Sequence, residues 1–178
     1  MTVVLLNGVG SAGKSSIARA LQGMTRDVFL HVQMDAFLEM LPAECPGGFS
    51  FETIIEDGHP SVVISSGEAG KRAMRGMRLS LAALAGAGNH LIVDDVNTGD
   101  EWREYADLLA GEVVYRVGVL CPLDVLEARE ALRGDRLIGL ARWQFPRVHA
   151  GREYDLTVDT AAASAEDCAR AIRDYFDL

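Results

Sequence analysis

Positive charge is in short supply: 17 Lys and Arg stand against 26 Asp and Glu, a formal net charge of -9 with a pI near 4.9. Nucleic acids and anionic membranes are held by concentrated cationic surfaces, so neither is expected as the main partner. Cysteine is equally sparse. Cys45, Cys121 and Cys168 are odd in number, far apart and without metal-ligand spacing, which excludes a disulfide framework or zinc site and suits a reducing cytoplasm. Long apolar runs are missing too. The run from Val3 to Leu6 stops at Asn7 before a glycine-rich stretch, too early for a signal-peptide core, and no segment approaches the roughly 20 residues of a membrane span. A soluble cytoplasmic protein is expected. His31, His59, His90 and His149 are scattered and read as packing or surface residues. There is no internal repeat or low-complexity linker, and 178 residues suffice for one substantial core. A single domain over 1–178 is expected, with homo-oligomerisation left open.

What the sequence does contain is a rhythm. Short β-branched or leucine runs at 2–6, 28–33, 90–94, 113–120 and 154–158 read as strands. Several are apolar on consecutive residues, as a parallel strand covered on both faces requires. Between them, helical spacing of apolar residues occurs at 15–24, 73–84, 102–109, 122–133, 138–149 and 165–176. The alternation predicts an α/β fold: a doubly wound, mainly parallel five-stranded sheet with helices on both faces, binding ligands beyond the carboxyl ends of its strands. Residues 42–70, with three Pro, several Gly and apolar pieces at 49–55 and 61–65, break the rhythm. This excursion, a β-hairpin candidate, is assigned to the acceptor side of the site, because long insertions in compact domains are more often functional than core.

Gly8, Val9, Gly10, Ser11, Ala12, Gly13, Lys14 and Ser15 match G-x-x-x-x-G-K-[ST], after an apolar strand and opening a helix. Glycines let the backbone curl so that successive N–H groups, through Ser16, point into one concavity at a helix N-terminus. Lys14 is expected at the β and γ phosphates of a nucleoside triphosphate and Ser15 at Mg²⁺. Leu91, Ile92, Val93, Asp94 and Asp95 form a strand ending in carboxylates, as in a Walker B strand. Neighbouring strand residues face opposite ways, so only one can look at the phosphate loop. Asp94 is favoured for the metal; Asp95 would then cap a loop or face the acceptor.

Asp35 follows the second strand, where a carboxylate can accept the proton of an attacking hydroxyl, although Asp is also a preferred helix N-cap. Phe37, Met40, Phe49 and Phe51 could wall a largely apolar acceptor. Arg129, Arg133 and Arg136 cluster at a helix end in a lid region, 129–147, where arginines could close over the transferring group, or simply complement the helix dipole. Arg142 and Arg147 read as surface, Trp102 and Trp143 as core or rim, and Met74 and Met77 as core filling. No Asn-Lys-x-Asp guanine signature occurs, so ATP is the default nucleotide and GTP stays open. Nucleotide binding without transfer, as in a regulatory module, also stays open.

Several of these residues together resemble the chloramphenicol phosphotransferases, P-loop kinases that phosphorylate a hydroxyl of that antibiotic with ATP. The likeness runs nearly end to end. It is carried by Leu6, Asn7 and Gly8 leading into Ser11, Ala12, Gly13, Lys14 and Ser15; by Asp35 with Glu39, Met40 and Pro42; and by Ile92, Val93, Asp94, Asp95 and Val96. Arg133, Gly134, Asp135 and Arg136 continue it, followed by Val148, His149, Tyr154, Asp155, Val158, Asp159 and Thr160. The resemblance implies Asp35 as general base, Lys14 and Ser15 on phosphates and Mg²⁺, and Arg133 and Arg136 at the lid. Residues 42–70 follow the family pattern only loosely, keeping the Gly47, Gly48 and Phe51 region, so another antibiotic or a metabolite stays open as acceptor.

Overall fold

The computed structural model describes residues 1–99, 101–134 and 137–178. In chain order its elements are β1 (Thr2–Asn7), α1 (Lys14–Gln22), β2 (Phe29–Gln33), α2 (Met34–Leu38), β3 (Phe49–Glu56), β4 (His59–Ser66) and α3 (Glu68–Gly86). There follow β5 (His90–Asp95), α4 (Glu101–Leu108), β6 (Val113–Leu120), α5 (Leu123–Arg133), α6 (Leu140–Val148), β7 (Leu156–Asp159) and α7 (Ala165–Phe176). Five strands form a parallel sheet in the order β2-β5-β1-β6-β7. Among the described residues no helix is long and apolar enough to cross a membrane.

β1 shows why the apolar runs had to be continuous. Val3 and Leu5 point to one face, where they pack with Val32, Leu91 and Val93 and with Met77, Leu81, Tyr105 and Leu109 of the α3 and α4 layer. Val4 and Leu6 point to the other, against Ile17, Leu21, Val117, Val119, Leu126 and Ile172 of the α1, α5 and α7 layer. Alternation along a strand thus feeds two cores, each fully buried aliphatic contributing about 1.5–3 kcal/mol. The sheet's ordering also places the phosphate loop at its centre, since β1 lies between β5 and β6.

The 42–70 excursion resolves into an antiparallel hairpin of β3 and β4, paired from Phe49–Ser66 to Glu56–His59. Its turn is Asp57-Gly58, both with positive φ (51° and 79°), the Asp-Gly signature of a two-residue hairpin whose twist matches the strands. The last residues of the excursion already belong to α3, which starts at Glu68 rather than near 73. Met74 lines the cleft described below rather than filling the core, while Met77 is buried in the core as expected. At the other edge β7 begins at Leu156, because the Tyr154 ring lies against the sheet beneath Gly118, where a Cβ would come within 2.8 Å of it.

Candidate functional site

At the carboxyl end of β1 the backbone must turn sharply while packed on β6. Gly8 allows this: a Cβ there would stand 2.6 Å from the Val119 carbonyl oxygen. Ser11 and Gly13 take positive φ (63° and 90°), and the Ser16 and Ile17 amides donate to the Gly13 carbonyl at 3.1 and 3.0 Å, starting α1. Gly8, Gly10, Ser11, Ala12, Gly13, Lys14, Ser15 and Ser16 therefore form one curled loop on a helix N-terminus, as the motif predicts. Lys14 is buried and its Nζ donates to the Gly8 and Val9 carbonyls, 3.0 Å each.

The parallel register sets Asp94 beside Leu6 and Asp95 beside Asn7. Asp94 turns to the loop. The Ser15 hydroxyl donates to its Oδ2 at 2.5 Å, Lys14 Nζ lies 3.8 Å from Oδ1, and His31 Nε2 lies 3.7 Å from Oδ2. Burial works against charge at Asp94, but the Lys14 ammonium, with His31 and Ser15 beside it, more than offsets burial and holds the carboxyl below its ordinary value. Asp95 turns the other way, accepting from the Tyr105 hydroxyl at 2.6 Å and the Val96 amide at 2.8 Å. Burial pushes its carboxyl up in spite of those bonds, and burial plus the Asp95 charge push the Tyr105 phenol well up.

A cleft of about 970 Å³ opens over the loop. It is lined by Gly10, Lys14, Ser15 and Asp94 of the phosphate loop and β5, and also by Asp35, Phe49, Phe51, Ile64, Met74 and Trp143. Asp35 sits in the first turn of α2, and Gln33, not Asp35, is the N-cap. The two other wall candidates stand elsewhere, for a helical reason: residues 34, 35, 38 and 39 of α2 and its end line the cleft, so Phe37 packs on the core and Met40 is exposed. A second cavity of about 430 Å³ lies across the phosphate loop, against Ser11, Gly13, Ser16, Arg129, Arg133 and Thr160. Arg133, at the last turn of α5 before Gly134 (φ 69°), lines both cavities. Arg136 lies outside the described residues.

Some of the arrangement was not readable from sequence. Arg129 is not a lid residue: its guanidinium donates to Thr160 Oγ1 (3.0 Å) and to the Thr160 carbonyl (2.7 Å), and Thr160 Oγ1 donates to the Ala12 carbonyl (2.9 Å), bracing the loop. His31 stands beside Asp94 rather than in simple packing, and Arg142 is half-buried on Glu127 at 2.6 Å. Gln144 and Glu130 are buried polar residues. The Gly10 amide donates to Gln144 Oε1 at 2.8 Å, and the Glu130 carboxylate accepts from the Gly139 and Ala141 amides, 2.8 Å each, capping α6. Only Thr160, as part of the family pattern, carried a signal; the Gln144 contact spans 134 residues and has no local signature.

Ser15 Oγ and Asp94 Oδ2, converging beside the loop with the carboxylate charged, are hard oxygen donors of the kind Mg²⁺ takes, usually with phosphate and water completing the shell. Among the described residues there is no group of three or more His, Cys, Asp or Glu that could hold a metal ion.

Residues 1–177 match the family described as chloramphenicol phosphotransferase-like protein. A Mycobacterium tuberculosis protein that bears the provisional name O-phosphotransferase is 31% identical over 183 residues, covering 98% of this chain and 81% of its own. Among solved structures, the Mycobacterium tuberculosis APS kinase in complex with AMPPNP and APS superposes with a TM-score of 0.66 at 18% identity, covering 99% of this chain and 98% of that one. The Deinococcus radiodurans tunicamycin resistance protein gives 0.66 at 16% identity, covering 99% and 96%. At those identities the structures show the fold alone, that of the P-loop kinases. The sequence match shows more: the chain belongs to the chloramphenicol phosphotransferase-like family and is a phosphotransferase.

Proposed function

We propose that the chain is an ATP-dependent O-phosphotransferase that moves the γ-phosphoryl group to a hydroxyl of a small, largely apolar molecule, a chloramphenicol-like antibiotic being the favoured acceptor. One observation carries this reading: a single cleft is lined both by Lys14, Ser15 and Asp94 and by Asp35 with Phe49, Phe51, Ile64 and Met74. A phosphate end and a base with apolar neighbours thus share one space, in which a phosphoryl group would be passed.

In this reading the Asp35 carboxylate takes the proton from the acceptor hydroxyl as its oxygen bonds to the γ-phosphorus. The bond from that phosphorus to the bridging oxygen breaks, and ADP carries away the electron pair. Lys14, with Arg133 and Arg136 from the lid side, offsets charge on the equatorial oxygens. The loop amides hold the phosphate chain, and the nucleoside extends into the second cavity, along Arg129 and Thr160. Ser15 and Asp94 would hold Mg²⁺, which neutralises phosphate charge when bound. Asp95, tied to Tyr105, fixes the end of β5 on the acceptor side of that pair. The acceptor is a diffusible small molecule, and a cytoplasmic setting suits the need for ATP.

The test is transfer from labelled ATP with Mg²⁺ to chloramphenicol and a panel of hydroxylated antibiotics and metabolites, with products identified by mass spectrometry. Native protein is expected to phosphorylate an apolar hydroxylated acceptor, and Asp35→Asn to lose at least about 10²-fold in rate while still binding ATP. Transfer unaffected by the substitution would remove Asp35 from the mechanism. ATP binding without any product would favour a regulatory nucleotide-binding module.

A further inference from the structure

Gln144 has a side chain whose two ends can be told apart by chemistry. Its amide faces the Gly10 N–H, a donor, so the group at 2.8 Å from that nitrogen must be the carbonyl oxygen, since an NH₂ there would oppose a second donor. The orientation of the amide follows, and its Nε2 is left over. Among the described residues Nε2 takes no hydrogen-bond partner, and it is not one of the buried polar atoms sealed without one. The residue as a whole is only 4% exposed, and it lines the large cleft. A donor pair is therefore held against the third residue of the phosphate loop with the cleft as its outlet.

Which part of the ligand it would meet is decided by the two cavities. Gln144 and Gly10 line the cleft that also holds Lys14 and Asp35, and both are absent from the cavity across the loop lined by Gly13, Arg129 and Thr160. Gln144 thus stands on the acceptor side of the loop, where the terminal phosphoryl group lies in the reading proposed above, and away from the nucleoside. The geometry points to Gln144 as a further catalytic residue, donating from Nε2 to an oxygen of the transferring phosphoryl group while the Gly10 amide polarises its Oε1.

Its support is rigid, which is what makes such a donor effective. α6 carries Gln144, and the buried Glu130 carboxylate caps the helix through Gly139 and Ala141. The Gly139 carbonyl accepts from the Val62 amide of β4 at 2.9 Å, which ties the same helix to the acceptor hairpin. A small side chain at Gly10 is part of the design as well, for a Cβ there would stand 3.2 Å from Gln144 Oε1.

This inference rests on the phosphotransfer reading, and one titration separates the two. The affinity of Mg·ADP is measured by calorimetry with and without fluoroaluminate, which stands in for the planar phosphoryl group in flight, for the native chain, Gln144→Glu and Gln144→Met. Glu keeps an acceptor for Gly10 and loses the donor; Met loses both. The expected result for Gln144→Met is Mg·ADP affinity within about twofold of native and a fluoroaluminate enhancement reduced at least about tenfold, as for a lost hydrogen bond to a charged group; Gln144→Glu, which adds a negative charge, should lose more of the enhancement. An unchanged enhancement would overturn the proposal. So would an equal loss of Mg·ADP affinity with and without fluoroaluminate, since Gln144 would then merely hold Gly10 in place. If the native chain binds Mg·ADP but gains nothing from fluoroaluminate, the phosphotransfer reading itself falls, and this inference with it. Gln144→Leu, also uncharged and without a donor, keeps the test intact should Gln144→Met fail to fold.

Discussion

Side by side on β5, Asp94 and Asp95 meet opposite surroundings. The fold favours the charged form of Asp94, so its contribution to stability is present above the ordinary 3.8 and is lost as pH falls through its lower folded value. At neutral pH it is ionised and ready to hold a cation. Asp94→Asn should therefore weaken Mn²⁺ binding, read by electron paramagnetic resonance in the presence of ADP, by at least about tenfold. The fold disfavours the charged form of Asp95, so its cost is present above the raised folded value and is relieved as pH falls towards 3.8. The native chain should thus gain stability relative to Asp95→Asn as pH is lowered from 7 towards 3.8 in urea-unfolding series; a constant difference would show that Asp95 is not held above its ordinary value. Tyr105→Phe leaves Asp95 Oδ2 without its donor and should cost about 1–3 kcal/mol by the same measurement.

Among the elements, α6 has the most exacting seat. A side chain at Gly139 would need φ near 99° and would place its Cβ 2.5 Å from the Pro60 carbonyl oxygen. Gly139→Ala should cost about 1–3 kcal/mol and speed amide exchange in β3 and β4 before it does so in the central sheet. Glu130→Ala strands two buried amides at the helix start, for about 2–4 kcal/mol, whereas Glu130→Gln, which keeps one oxygen, should cost less. The five sheet strands were legible as short β-branched or leucine runs, several of them apolar on consecutive residues, and the phosphate loop because eight consecutive residues, Gly8 to Ser15, make it. The hairpin strands were legible as apolar pieces, and Asp57-Gly58 was a turn signal that could have fixed their pairing. α6's role was not legible. Nothing in the sequence singled out Glu130 or Gln144, and Arg129 read as a lid or dipole-complementing cation, since their partners at Gly139, Gly10 and Thr160 are set by packing of α5, α6 and β7 rather than by any local pattern. Phe37 and Met40 failed as wall residues because a five-residue helix shows the cleft only one side.

At the scale of the whole molecule, ligand binding and stability are linked through a loop that distant parts of the chain hold in shape. At a hundredfold excess over its dissociation constant, Mg·ATP should stabilise the native chain by about 2.7 kcal/mol, seen as a raised melting temperature. Lys14→Ala should abolish that rise, since Lys14 braces the Gly8 and Val9 carbonyls as well as standing at the phosphates. The order β2-β5-β1-β6-β7 has a further consequence, for synthesis. β1 is made before the other four strands of its sheet yet stands in the middle, and its neighbours are residues 90–95 and 113–120. The Thr160 hydroxyl that braces Ala12 comes later still. β1, with the phosphate loop behind it, must therefore wait unpaired until those strands are made, and the nascent protein becomes able to grip nucleotide only once Thr160 has been added.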